Sequence, residues 1–183
     1  DALVAAAQVV PAVNRLATCP PGQRVATVGA LQVWPNAANI IPGQVKASLD
    51  VRDLDQGVID HLVQALKLEM VAIAEATHTS IDILPQLNVA PSPAADHIQR
   101  TIAQASAALG LSTLAMPSRA GHDALEMGRF TDMGMIFVPS QGGVSHSEVE
   151  YTTPEACIQG TNVLLETLRQ LDRYYSLDQS LQP

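Results

Sequence analysis

Two histidines stand in settings that could do chemistry. "SRAGHDALEMGRF" (118–130) carries His122 between Gly121 and Asp123, and "GGVSHSEVE" (142–150) carries His146 ahead of Glu148 and Glu150. The chain has only five histidines. Neutral imidazoles and carboxylates are zinc ligands, and glycine allows a backbone to come close to a bound molecule. Gly121 could serve that purpose, and a helix beginning near His122 would offer N–H groups to an anion. Gly142 and Gly143 give the second loop freedom to aim His146. The donor set is nevertheless short, because zinc takes three or four protein ligands. His146, His122, Asp123, Glu148 and Glu150 form no HxH, HExxH or paired-carboxylate motif, and no general base stands out. Taken one at a time, each histidine reads better as an ordinary loop residue; two at one predicted crevice bring the functional reading level with it.

The elements that must position these loops fall into two groups. Residues 1–17 read as a helix that Pro11 kinks or starts. Residues 23–35 have strand chemistry with Gly29 as a bulge, and 36–43 form a turn-rich connection. In "QVKASLDVRDL" (44–54), Val45, Ala47, Leu49 and Val51 alternate with Lys46, Ser48, Asp50 and Arg52, the pattern of a half-buried strand. Residues 56–78 keep helical spacing through Ile59, Leu62, Val63, Leu66, Met70 and Ile73, and 80–88 read as a further strand. Together these predict a small α+β domain with helices on one face of a sheet. The segment 89–96, with two prolines, marks the boundary.

Beyond it the pattern predicts a helix over 94–109 stopped by Gly110, a strand over 112–117 and a short helix around 122–129. An apolar strand follows over 134–140, then a long helix over 153–173 with Thr153 as cap and Pro154 in its first turn. Alternating helices and apolar strands imply a parallel sheet covered on both faces, with both histidine loops at its ligand-binding edge. Two strands make a poor sheet, so this half reads as a piece of a domain. The tail from Ser176 to Pro183 reads as frayed.

Composition narrows the function. The net charge is −8, and there is no basic stripe of the kind that tracks phosphates, which argues against nucleic acid. No apolar run reaches the roughly 20 residues of a membrane span. Cys19 and Cys157 suggest no disulfide framework, so a reduced, cytoplasmic setting is expected. Cys157 reads as core, and Met127, Met133 and Met135 read as packing. His61, His78 and His97 fall on helix surfaces or ends and receive no role. Arg52 could form a surface ion pair with Asp50 or Asp53, and Asn39 could simply shape the turn before Pro42.

Three stretches carry a resemblance. "PNAANIIPGQVKASLDVRD", "SRAGHDALEMGRFTDMGMIFVPS" and "GGVSHSEVEYTTPE" resemble segments of the N-carbamoyl-L-amino-acid hydrolases. That family includes allantoate amidohydrolase and β-ureidopropionase, within the clan of dinuclear-zinc aminoacylases and carboxypeptidases. The likeness runs from Asp1 to about Leu171, and "AGHDA" is its most specific part.

The resemblance implies a ferredoxin-like α+β lid (dimerisation) domain over 1–90. Over 91–183 it implies the C-terminal segment of a three-layer α/β zinc-peptidase-like catalytic domain. It implies a homodimer formed through the lid and two divalent metal ions (Zn, or Mn, Co, Ni) in the intact enzyme. His146 matches a metal ligand. Asn39 and Arg52 match lid residues that bind the substrate, and Gly121 and His122 match substrate contacts, His122 with a catalytic role at the carbonyl. The expected substrate is a small ureido or N-carbamoyl compound, cleaved to amino acid, ammonia and carbon dioxide. Arg119 stands where the family mostly has a small residue, and Glu148 replaces a usual proline. The other metal ligands and the catalytic glutamate would precede Asp1, so the chain is expected to be part of a longer enzyme and inactive alone. An aminoacylase or dipeptidase of the same clan, or an isolated dimerisation or ligand-binding module, are the alternatives.

Overall fold

Helix α1, Ala2–Thr18, opens the chain in a computed structural model that describes residues 1–19 and 22–179. Asp1 caps it: its Oδ1 accepts the N–H groups of Leu3 at 2.9 Å and Val4 at 3.3 Å, satisfying two of the donors every helix start leaves open. Pro11 lies inside the helix, which continues past it to Thr18. Strands β1, Val25–Trp34, and β2, Gln44–Arg52, pair antiparallel from Val25 opposite Arg52 to Trp34 opposite Gln44. The register shifts between Val28 and Ala30, so Gly29 is the bulge that its sequence position suggested. Helix α2, Gln56–Thr77, is capped by Asp55. It ends where His78 turns left-handed at φ 52°, with Thr79 N–H reaching Ala74 O and His78 N–H reaching Glu75 O. That paired closure usually recruits glycine at the turning residue.

These four elements share a core. Val13 of α1 and Leu62 and Leu66 of α2 are buried against the β-face residues Ala26, Val28 and Val51. Ala5 and Ala12 meet Ile73 further along, with Ile81 packed beside them. The small side chains of α1 let the two helices approach closely. An exposed ion pair, Arg15 to Glu69 at 2.6 Å, also links them.

The chain divides into two compact units, Asp1–Pro91 and Ser92–Pro183. The second holds α3, Asp96–Ala108, the one-turn α4, Asp123–Met127, a 3-10 turn over Gln141–Gly143, and α5, Pro154–Gln179. Gly110 ends α3 at φ 71°, with Leu111 N–H closing on Ser106 O. Thr153 caps α5 by accepting the Ala156 N–H. Helices α3 and α5 pack together, burying Ile98 and Ala105 on one and Val163 and Thr167 on the other. His97 joins them at one end: its ring stacks on Tyr174, and its Nε2 lies 2.8 Å from the Tyr175 hydroxyl.

Several expectations are corrected. The segments 80–88, 112–117 and 134–140 are not strands, and the described residues contain a single two-stranded sheet. Among the described residues the second half therefore holds no parallel sheet. A strand exists only through ladder bonds to a neighbour, and no backbone hydrogen bond pairs these segments with one among the described residues. Cys157 is exposed, not core. Helix α5 continues to Gln179, past the expected fraying point, and residues 180–183 lie outside the described residues.

Candidate functional site

The first histidine loop is a tight, self-bonded turn. Arg119 takes a left-handed backbone at φ 59°, which folds the chain back so that Ser118 Oγ hydrogen-bonds His122 Nε2. Ser118 Oγ also accepts the Ala120 N–H at 3.3 Å. His122 is the N-cap residue of α4, and its carbonyl accepts the Leu125 N–H at 2.9 Å. Its ring lies 5.7 Å from that of Phe137, tilted by 60°. Ser118 and His122 are both half-buried, and Gly121 is exposed, with open space where a Cβ would stand. The anion site expected at this helix start is not supported: α4 has five residues and already carries Asp123 and Glu126 in its first turn.

The second loop is also held by its own bonds. Ser140 Oγ donates to Val144 O at 2.6 Å, and Gln141 N–H reaches Tyr151 O at 2.8 Å. Gly142 and Gly143 take left-handed backbones at φ 66° and 68°, a conformation that costs other residues about 1–2 kcal/mol. His146 takes one too, at φ 57°, and its N–H donates to Glu150 Oε2 at 2.8 Å. Its Nδ1 lies 3.1 Å from Ser145 Oγ. The ring is exposed, and its Nε2 makes no hydrogen bond among the described residues.

No hydrogen bond or ring contact joins His122 to His146. Among the described residues no three His, Cys, Asp or Glu side chains form a group that could hold a metal ion. The donors present do not make a metal site by themselves. Glu150 in particular is engaged with the His146 backbone.

The first unit carries the other two candidates. Arg52 lies on the polar face of β2, on the same side as Asp50, because alternate strand residues share a face. Its Nε and Nη2 grip Asp50 in a fork, at 2.7 and 2.8 Å. This bond holds the Asp50 carboxyl below its ordinary value and raises the Arg52 guanidinium, each through the other's hydrogen bond first. Of the two surface partners the sequence offered, Asp50 is the one taken. Asn39 is exposed in the β1–β2 loop, and its side chain makes no hydrogen bond among the described residues. β2 rises about 26 Å between the loop end and Arg52. One small molecule can meet both residues only where the loop bends back along the polar face.

Sequence reasoning missed Ser118. Its signal was the four-residue spacing to His122 across a turn centred on Arg119 and Ala120.

The sequence model of peptidase family M20/M25/M40 matches residues 5–170, across both units. The chain belongs to this family. Within it, the chain is 35% identical over 171 residues to an N-carbamoyl-L-amino acid amidohydrolase of Geobacillus stearothermophilus, covering 93% of this chain and 42% of that protein. It is 33% identical over 153 residues to an allantoate amidohydrolase of Bacillus subtilis, covering 82% and 37%. Among solved structures, an amidase of the hydantoinase/carbamoylase family from Burkholderia multivorans superposes with a TM-score of 0.86 at 34% identity. That match covers 91% of this chain and 41% of the other. The chain thus spans about two-fifths of the length of the M20/M25/M40 relatives it matches.

Proposed function

We propose that this chain is part of a metal-dependent amidohydrolase that cleaves the ureido C–N bond of N-carbamoyl amino acids or closely related compounds. The observation that carries the reading is the 35% identity to an N-carbamoyl-L-amino acid amidohydrolase over 93% of the chain. The first unit is the lid and dimerisation domain, and the second is the C-terminal part of the catalytic domain.

Each site residue has a task of its own in this reading. Arg52 binds the substrate carboxylate, where a planar guanidinium can match two oxygens at once. Its geometry supports this, because it already grips the Asp50 carboxylate in that manner. Asn39 hydrogen-bonds the same end of the substrate once the β1–β2 loop bends back along the polar face. Gly121 leaves room for the substrate beside the backbone, and His122 donates to the carbonyl as charge develops on its oxygen. His146 supplies one metal ligand through its unengaged Nε2. Bound metal supplies Lewis-acid activation of the carbonyl and of water, and its remaining ligands lie elsewhere in the complete enzyme.

The assembly is a homodimer joined through the first unit. Both outer edges of its two-stranded sheet lack a neighbour among the described residues, and open edges invite pairing. Leu31, Leu49, Leu68 and Val71 are exposed on the same unit. The setting is cytoplasmic, in keeping with two free cysteines. No described helix is long and apolar enough to cross a membrane.

The test is a substrate panel on the complete enzyme, with and without added divalent metal. Ammonia release from N-carbamoyl amino acids that requires metal is the expected result. Preference for N-acetyl amino acids or dipeptides would replace the ureido reading with an aminoacylase or peptidase. The 183-residue chain alone should release no ammonia, and sedimentation should find it dimeric; turnover, or a folded monomer at all concentrations, counts against the respective assignment.

A further inference from the structure

We infer that Ser118 is a positioning residue that holds His122 as the neutral tautomer with its proton on Nδ1. Ser118 Oγ has one proton to donate and two lone pairs to accept with. The Ala120 N–H occupies a lone pair, and His122 Nε2 is the other partner of the oxygen. The described residues offer the hydroxyl proton no other acceptor. If Nε2 carried a proton, Ser118 would accept twice and its own proton would have only solvent to reach from a half-buried turn, so the closed Ser118–His122 pair would be lost as a donor bond. The satisfied arrangement has the Ser118 hydroxyl donating to a bare Nε2. A neutral imidazole that accepts on Nε2 carries its proton on Nδ1.

The turn is built to impose this choice. Arg119 adopts the left-handed backbone that brings residues 118 and 122 together, α4 fixes the His122 backbone as its cap, and Phe137 lies against the ring. His122 Nδ1 has no hydrogen-bond partner among the described residues, so its N–H is available to a bound molecule. Resting on the ureido-hydrolase reading, this makes His122 a neutral donor to the substrate carbonyl oxygen and not the base that activates water. The distinction has a consequence: a donor of fixed tautomer needs no proton transfer during turnover, and it stabilises developing negative charge from the start of the reaction.

Long-range proton–nitrogen NMR of the 15N-labelled 183-residue chain tests the inference without substrate or metal. In alkaline buffer His122 should display a protonated Nδ1 and a bare Nε2. Ser118→Ala should return it to the Nε2–H form that unrestrained histidines favour. Ser118→Thr keeps a hydroxyl and should restore the wild-type pattern. The resonances of His97 and His146, unchanged across the variants, report that the fold is intact. A wild-type His122 protonated on Nε2, or a tautomer indifferent to Ser118→Ala, overturns the assignment. In the complete enzyme, Ser118→Ala should lower kcat tenfold or more with KM little changed, and Ser118→Thr should recover most of the loss. An altered tautomer with unaltered kcat overturns the donor role. Because the spectra contain no substrate, they stand or fall separately from the substrate panel that tests the hydrolase reading.

Discussion

The two units use apolar residues in opposite ways. In the first, Val13, Leu62 and Leu66 are almost fully buried, and two helices cover one face of a hairpin whose strands find each other across a short loop. In the second, α3 and α5 bury each other, while Leu114 and Phe137 of the two apolar segments remain 78% and 54% exposed. The difference lies in where the pairing partner is. A hairpin carries its partner close by in the chain, here from Trp34 opposite Gln44 to Val25 opposite Arg52, whereas the parallel arrangement implied by 112–117 and 134–140 needs neighbours from other parts of a sheet. Local contacts completed the hairpin of the first unit, whereas 80–88 there and 112–117 and 134–140 in the second have strand chemistry without the ladder.

Replacing one leucine in each unit should separate the two cases most clearly. Leu66→Ala removes a core side chain and should cost about 2–5 kcal/mol, while Leu114→Ala should stay within about 0.5 kcal/mol. Urea unfolding of each variant measures both. Equal losses would mean that the exposed segments carry as much of the stability as the helical core, and the contrast would fail.

A second test addresses the polar side of the hairpin. Arg52→Lys in the complete enzyme keeps the charge and loses the fork. If Arg52 binds the substrate carboxylate, affinity should fall by about 1.5–3 kcal/mol, more than tenfold, with little change in thermal stability. The amide of the same N-carbamoyl amino acid should hardly respond. Equal losses in kcat/KM for acid and amide would assign Arg52 to the structure of the sheet.

In the second unit, Gly160 of α5 is where the helix meets the 134–140 segment. A Cβ there would stand 2.4 Å from Val138 Cγ1. Gly160→Ala should therefore cost about 1–3 kcal/mol through overpacking, less whatever alanine returns in helix propensity. Adding Val138→Ala should recover part of the loss. If Gly160→Ala instead raises the thermal midpoint, the segment is not seated on α5.

The smallest effect concerns pH. Asp50 titrates below its ordinary value of 3.8 because Arg52 favours its charged form. A depressed carboxylate contributes stability that is fully present above the unfolded value, and it is lost as the pH falls through the folded one. The Arg52–Asp50 pair should thus be silent from pH 7 to about 5 and weaken only below about pH 4. Both partners are about half exposed, so solvent screens the pair and the change is slight. Asp50→Asn beside the parent protein should show a small, constant stability offset from pH 7 to about 5 that shrinks only below about pH 4; an offset that changes with pH near neutrality would contradict the origin given for the shift.

Much of the fold was legible because its causes are local. The helix cap at Thr153, the stop at Gly110 and the bulge at Gly29 each follow from chemistry within a few residues. The alternation from Val45 to Arg52 placed Val51 toward the core and Asp50 beside Arg52, although Ala47 and Leu49 of its apolar set are exposed. The candidate site was legible only in part. Residue types and resemblance pointed to His122, His146, Arg52, Asn39 and Gly121, but the hydrogen bonds that orient two of them lay hidden. Backbone conformation governs those bonds: Ser118 meets His122 because Arg119 turns left-handed, and Glu150 meets the His146 N–H because His146 does.

The amino-acid sequence by itself determined the helices and the two strand segments of the first unit, since hydrophobic period, capping and turn chemistry act over short stretches. Only the tertiary structure decided that 80–88, 112–117 and 134–140 form no strands, that Cys157 faces outward, and that Asp50, not Asp53, takes Arg52. Each of these depends on which groups come within bonding distance across the fold. Strand-forming composition supplies a surface to pair, and without a neighbouring ladder the backbone has no strand to form.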